Sequence, residues 1–138
     1  MEIAAGDYDE LVFTGGIGWG KSWIGDIMLA RSIYEISCLI NPQRTFGLAF
    51  DSEIVLIQQS VNAKLARTVL FDQLGRLLRH SQYFQAAFPM DLSIKTELHF
   101  PHAVRVSPIA GNESGGIGQN VIGGILDESN FLPVIEKS

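Results

Sequence analysis

One cysteine, Cys38, stands in a chain of 138 residues. A lone thiol closes no internal disulfide and builds no cysteine-based zinc site. Its apolar setting predicts a small core residue in a cytosolic protein. No run approaches the roughly 18 apolar residues of a membrane-spanning helix, so no contact with a membrane is expected. The first seven residues, Met1 to Asp7, are acidic and lack the basic and apolar regions of a signal peptide. Linkers rich in proline and serine, low-complexity tracts and fixed-period repeats are missing, which predicts one domain over 1–138. With 46% hydrophobic residues, that domain can bury a real core.

An excess of positive charge is also missing. The net charge of −5 argues against a protein that coats nucleic acid. The distribution is uneven, however. Residues 1–60 carry eight acids against three bases, whereas residues 61–110 carry six bases against three acids. The second stretch suits either a phosphate backbone or acidic partner, or a solvated helix face.

Glycine, in contrast, is concentrated. Gly15-Gly16-Ile17-Gly18-Trp19-Gly20-Lys21-Ser22 fits G-x-x-x-x-G-K-[ST], the phosphate-binding P-loop. Backbone N–H groups must turn inward around phosphate oxygens, and side chains would obstruct that approach. A helix then begins, and its unpaired N–H groups favour an anion. In this pattern Lys21 reaches the β- and γ-phosphates of ATP, and the Ser22 hydroxyl ligates Mg²⁺. Trp19 lies over a nucleotide or packs elsewhere.

The flanking segments suit such a loop. Glu10 to Thr14 is a short apolar run that predicts the strand delivering it. From Lys21 to about Ile40, apolar residues recur at helical spacing, and Asn41-Pro42 predicts the end of that helix. Phe46 to Phe50 reads as a short strand or an extended link. Glu53 to Gln59 is nearly continuous in apolar residues, as expected of a strand buried on both faces of a parallel sheet. A helix follows from about Val61 to Arg79, capped by Ser60 or Asn62, and Gln82 to Phe88 predicts a further helical turn.

Residues 95–100 and 103–109 alternate polar and apolar and predict a hairpin of half-exposed strands near a sheet edge. His99 and His102 lack further ligands nearby and read as surface residues rather than metal ligands. Gly111 to Asn120 is a glycine-rich loop without the G-x-G-x-x-G spacing of dinucleotide folds.

The apolar run 121–126 ends in Asp127-Glu128, the Walker B pattern over 121–128. An acid at that strand end holds Mg²⁺, and the next carboxylate orients and deprotonates the attacking water. Asp127 takes the first role and Glu128 the second, which favours an ATP-hydrolysing branch of P-loop enzymes. The expected fold is a three-layer α/β P-loop NTPase of RecA-like type with a mostly parallel sheet, incomplete at its C-terminal end.

Gly15 to Ser22, Gln58-Gln59-Ser60 with Val61 to Ala66, and Asn120 to Phe131 together resemble the large terminase subunit of tailed bacteriophages, the motor that packages DNA into a procapsid. The resemblance covers nearly the whole chain. It implies an ATPase portion without the family's nuclease domain, working as a ring homo-oligomer in the bacterial cytoplasm. Its implied partners are double-stranded DNA, the portal protein and the small terminase subunit. Lys21 and Ser22 correspond to the family's Walker A lysine and hydroxyl, and Asp127 and Glu128 to its Walker B aspartate and catalytic glutamate. An arginine finger, by the same resemblance, is Arg31, Arg105 or a neighbouring subunit's residue. Two alternatives stand beside it: a helicase- or recombinase-like ATPase, and a truncated prophage remnant that binds nucleotide without turnover.

Overall fold

A computed structural model describes residues 12, 21–60, 62–110 and 120–126, and the backbone alone for Lys21 and Ser22. Of the expected strand 10–14 only Val12 is described, and of the glycine-rich loop 111–120 only Asn120.

Helix α1 spans Lys21–Ser37. Leu29, Ile33 and Ile36, spaced by four and three, form its buried stripe, and Asp26 is fully buried on the same helix. Ile27 and Tyr34, which share the apolar periodicity, are exposed. The helix stops at Ser37 rather than near Ile40, where the Ser37 hydroxyl donates to the Tyr34 carbonyl at 2.5 Å. Cys38 therefore falls in the turn beyond it and is exposed, not a core residue.

Asn41-Pro42 does not end α1. It opens a short helix, α2 (Pro42–Thr45), with the Asn41 carboxamide accepting from the Arg44 N–H at 3.1 Å. Proline suits a first helical position because its missing N–H would be unpaired there anyway. Residues 46–50 form turns rather than a strand, and Gly47 takes φ 70°.

Strand β1 (Ile54–Ser60) leads into a long helical segment that begins with α3 (Ala63–Thr68). Of the two expected caps, Asn62 serves: its side-chain oxygen accepts from the Leu65 N–H at 2.9 Å. The segment widens into a π-helical stretch at Val69–Gly75 before α4 (Arg76–His80). Gly75 is buried there, and a Cβ on it would lie 3.3 Å from the Leu70 carbonyl oxygen. Leu70, Leu74 and Leu78 all reach the core. Helix α5 (Gln82–Ala87) follows, and Tyr83 ties it to the end of α1 through an edge-on contact with Tyr34 at 5.0 Å.

The sheet has the order β2-β3-β1-β4, with β2 at Leu98–Phe100, β3 at Val104–Ala110 and β4 at Val121–Leu126. β3 and β4 pair parallel to β1 on either side, and β2 pairs antiparallel to β3. The hairpin expected from the alternating pattern is present, but only β2 lies at the edge. β3 is an interior, mostly buried strand, because β1 covers its other side. A three-residue 3-10 turn, Pro101–Ala103, joins them, with His102 and Ala103 at φ 63° and 58°.

Side chains alternate across a strand, so Ile54 and Leu56 on β1 share one face with Val104 and Val106 on β3. These four join Leu29, Ile33, Leu70, Leu74, Phe84 and Phe100 in a single core. The architecture is an open α/β sheet with helices packed against it.

Candidate functional site

Two elements that matter for the site meet at Ile125. Gly25, one turn into α1, packs on it: a Cβ at Gly25 would lie 3.2 Å from the Ile125 Cδ1 atom. Ile125 is also the register partner of Gln58 on β1. The head of α1 at Lys21 is four residues from Gly25, about 6 Å along a helix. In the sequence, Asp127 follows Ile125 by two residues. The start of α1, the carboxyl end of β4 and the carboxyl end of β1 thus converge. Open parallel sheets bind their ligands at that end of the strands.

The predicted site residues themselves are covered only in part. The backbone places Lys21 and Ser22 in the first turn of α1, as the P-loop pattern requires. The loop Gly15, Gly16, Ile17, Gly18, Trp19, Gly20, the side chains of Lys21 and Ser22, and both Asp127 and Glu128 lie outside the described residues.

Close pairing holds β4 against β1. A Cβ on Gly124 would run into the Ile57 carbonyl oxygen, so glycine is needed for that approach. At the other end of the pair, the Asn120 amide donates to the Glu53 carbonyl at 3.1 Å, and the Val55 N–H donates to the Asn120 carbonyl at 3.0 Å.

The core-facing row of β1 changes character along its length. Ile54 and Leu56 are apolar, whereas Gln58 and Ser60, on the same face, are polar and only 1% and 0% exposed. Among the described residues, neither the Gln58 Oε1 atom nor the Ser60 Oγ atom has a hydrogen-bond partner. Leaving such a group buried and unpaired costs about 1–3 kcal/mol. The sequence pattern treats Gln58-Gln59 only as the polar boundary of a strand. The signal that distinguishes them is parity, since Gln58 and Ser60 continue the row of Ile54 and Leu56.

The opposite face of the sheet carries a second polar cluster. Glu97 accepts through Oε1 from Arg105 at 2.7 Å and from the Ser107 hydroxyl at 2.9 Å. Its Oε2 atom lies 3.0 Å from the His99 ring. Arg105 also donates to Glu53 at 3.2 Å. Burial pushes the Glu97 carboxyl up, but the hydrogen bonds from Ser107 and Arg105, with attraction from Arg105 and His99, prevail and hold it below the usual carboxylate range. Of the suggested finger residues, Arg105 is buried in this cluster, and Arg31 pairs with Glu35 on the exposed side of α1. His99 is thereby engaged with Glu97, and His102 stacks at 6.4 Å on Phe88.

A cleft of about 290 Å³ lies between Asn41, Gln43, Phe50, Asp51 and His102. It is at the amino ends of β1 and β3, away from the convergence at Ile125. Its floor is Gln43, which is buried and donates to the carbonyls of Ser52 at 3.0 Å and His102 at 2.6 Å.

Residues 2–131 match the family described as the N-terminal P-loop domain of uncharacterized protein MJ0330. The chain belongs to this family. Curated proteins and solved structures give no match. Membership supports a P-loop NTPase domain, which implies nucleotide binding, typically with Mg²⁺. It does not bear on a terminase. Among the described residues of this P-loop domain, no helix is long and apolar enough to cross a membrane.

Proposed function

We propose that this P-loop domain binds ATP–Mg²⁺ and hydrolyses it, as the ATPase portion of a terminase-like DNA-packaging motor. The observation that carries the nucleotide reading is the meeting of α1 and β4 at Ile125. It brings the head of the helix after G-x-x-x-x-G-K-S toward the strand end that leads into Asp-Glu.

In this reading the amides of Gly15 to Gly20 and the ammonium of Lys21 neutralise the phosphates. Ser22 and Asp127 hold Mg²⁺, whose charge offsets that developing on the phosphate oxygens. Glu128 orients water and accepts its proton. The chain's own contribution is positioning and electrostatics rather than covalent chemistry.

The motor role rests on the resemblance of residues 15–22, 58–66 and 120–131 to terminase large subunits. Double-stranded DNA, a portal protein, a small terminase subunit and further copies in a ring are the proposed partners, and a bacterial cytoplasm the proposed location.

Calorimetric titration with ATP–Mg²⁺ tests the site. Lys21→Ala is expected to weaken binding about 10- to 100-fold, the worth of a charge-assisted hydrogen bond. Unchanged binding removes Lys21 from the site. Where the wild-type chain turns over ATP, Glu128→Gln is expected to slow hydrolysis about 10²- to 10⁴-fold with binding retained. Hydrolysis at the wild-type rate removes Glu128 as the base. Stimulation of hydrolysis by double-stranded DNA separates a motor from a nucleotide-binding domain of another kind.

A further inference from the structure

We propose that Gln58 and Ser60 together hold an ordered water at the terminal-phosphate end of a bound nucleoside triphosphate. The inference rests on the nucleotide reading of the site and adds residues that no part of the P-loop or Walker B pattern contains.

Three observations carry it. Gln58 and Ser60 lie on the core-facing row of β1, and the Gln58 Oε1 and Ser60 Oγ atoms have no hydrogen-bond partner among the described residues. They occupy the carboxyl end of β1, where a parallel sheet presents its ligand. Finally, Gln58 and Gly25 flank the same side chain, that of Ile125, so Gln58 lies beneath the first turns of α1.

The chemistry then selects the ligand group. An amide oxygen is an acceptor only and gains nothing from a phosphate oxygen, which in the ionised nucleotide is also an acceptor. It needs a donor, and water supplies one. A hydroxyl both donates and accepts, so Ser60 can bind the same water or a phosphate oxygen beside it. An aliphatic pair at these positions would extend the row of Ile54 and Leu56 without any unpaired group. A polar pair in that place suits a water that is present when the terminal phosphate is present.

The test compares the full chain with Gln58→Leu and Ser60→Ala. The probes are ADP–Mg²⁺ and a non-hydrolysable ATP analogue with Mg²⁺, titrated calorimetrically, with melting temperatures taken without ligand. The variants are expected to lose about 5- to 10-fold in affinity for the triphosphate analogue, the worth of one hydrogen bond, and to bind ADP within about twofold of wild type. Their ligand-free melting temperatures are expected to equal or exceed that of the wild type, because an unpaired buried polar group has been removed. Equal losses for both nucleotides, unchanged binding of both, or a ligand-free melting temperature several degrees lower would each overturn the proposal. If the wild type binds neither nucleotide, the nucleotide reading fails and this inference fails with it. If the wild type binds and the variants match it, only this inference fails.

Discussion

Two groups of buried or half-buried polar side chains face opposite sides of β1 and β3, and they are built differently. On one face Arg105, Glu97, Ser107, His99 and Glu53 engage one another in hydrogen bonds and ion pairs. On the other, Gln58 and Ser60 are enclosed more completely, yet the Gln58 Oε1 and Ser60 Oγ atoms lack partners among the described residues. A satisfied network fastens the β2–β3 hairpin to the start of β1 and has little left to offer a ligand. An unsatisfied pair is a net cost to the free chain, and that cost is recovered when a ligand supplies the missing partner.

The largest effect that separates the two groups is expected at Arg105. Arg105→Ala should destabilise the chain by about 3 kcal/mol in urea unfolding, the low end for breaking a buried pair, because Glu97 stays half-buried without its cation while Glu53 is exposed. Wild-type stability, as expected of Gln58→Leu and Ser60→Ala, would erase the contrast. Next in size is Gly124, which brings the end of β4 against β1. Gly124→Ala should cost about 1–3 kcal/mol through its collision with the Ile57 carbonyl, and should weaken nucleotide binding as well. Stability and binding both at wild-type values would show that the approach is not tight.

Asn62 sits two residues beyond Ser60 and, unlike it, is satisfied. Asn62→Ala should cost about 1 kcal/mol by removing the cap on Leu65, with no change in the preference for triphosphate over diphosphate. A changed preference would extend the site into the cap of α3. The smallest effect concerns pH. Since folding lowers the Glu97 pKa, its contribution is fully present above the usual carboxylate value near 4.5 and is lost as pH falls through the lower, folded value. Acid titration of stability should therefore fall less steeply below about pH 4.5 in Glu97→Gln than in the wild type. Parallel curves would mean that the carboxyl is not held by its partners.

Much of the fold is legible in the sequence where burial imposes a simple pattern. β1 begins with, and β4 consists of, a run without charged or polar side chains, and the segment from Ala63 to His80 keeps its leucines on one side, so their identity follows from the hydrophobic pattern. Boundaries are less legible where one residue has two uses. Pro42 is unfit for a helix interior and well suited to a helix start, and only the position of Asn41 as a cap decides between them. The π-helical turn at Val69–Gly75 leaves no mark in the hydrophobic period, because residues four apart stay on one face in either helix. Cys38 illustrates the same limit: an apolar neighbourhood says little once the helix ends one residue earlier.

The site divides in a similar way. The P-loop and Asp-Glu expectations rest on residue type and spacing alone, and those side chains lie outside the described residues. Gln58 and Ser60 are visible only once the strand register is known. Two polar residues at a strand end are ordinary, whereas two on the core-facing row beside Ile125 are not.

Hydrogen–deuterium exchange, with and without a non-hydrolysable ATP analogue and Mg²⁺, tests most directly which end of the sheet is the ligand end. Slowed exchange is expected in peptides covering the head of α1 and the carboxyl ends of β1 and β4, with the β2–β3 hairpin around Glu97 and Arg105 unchanged. Protection centred on that hairpin, or on the cleft between Asn41 and His102, would contradict the account.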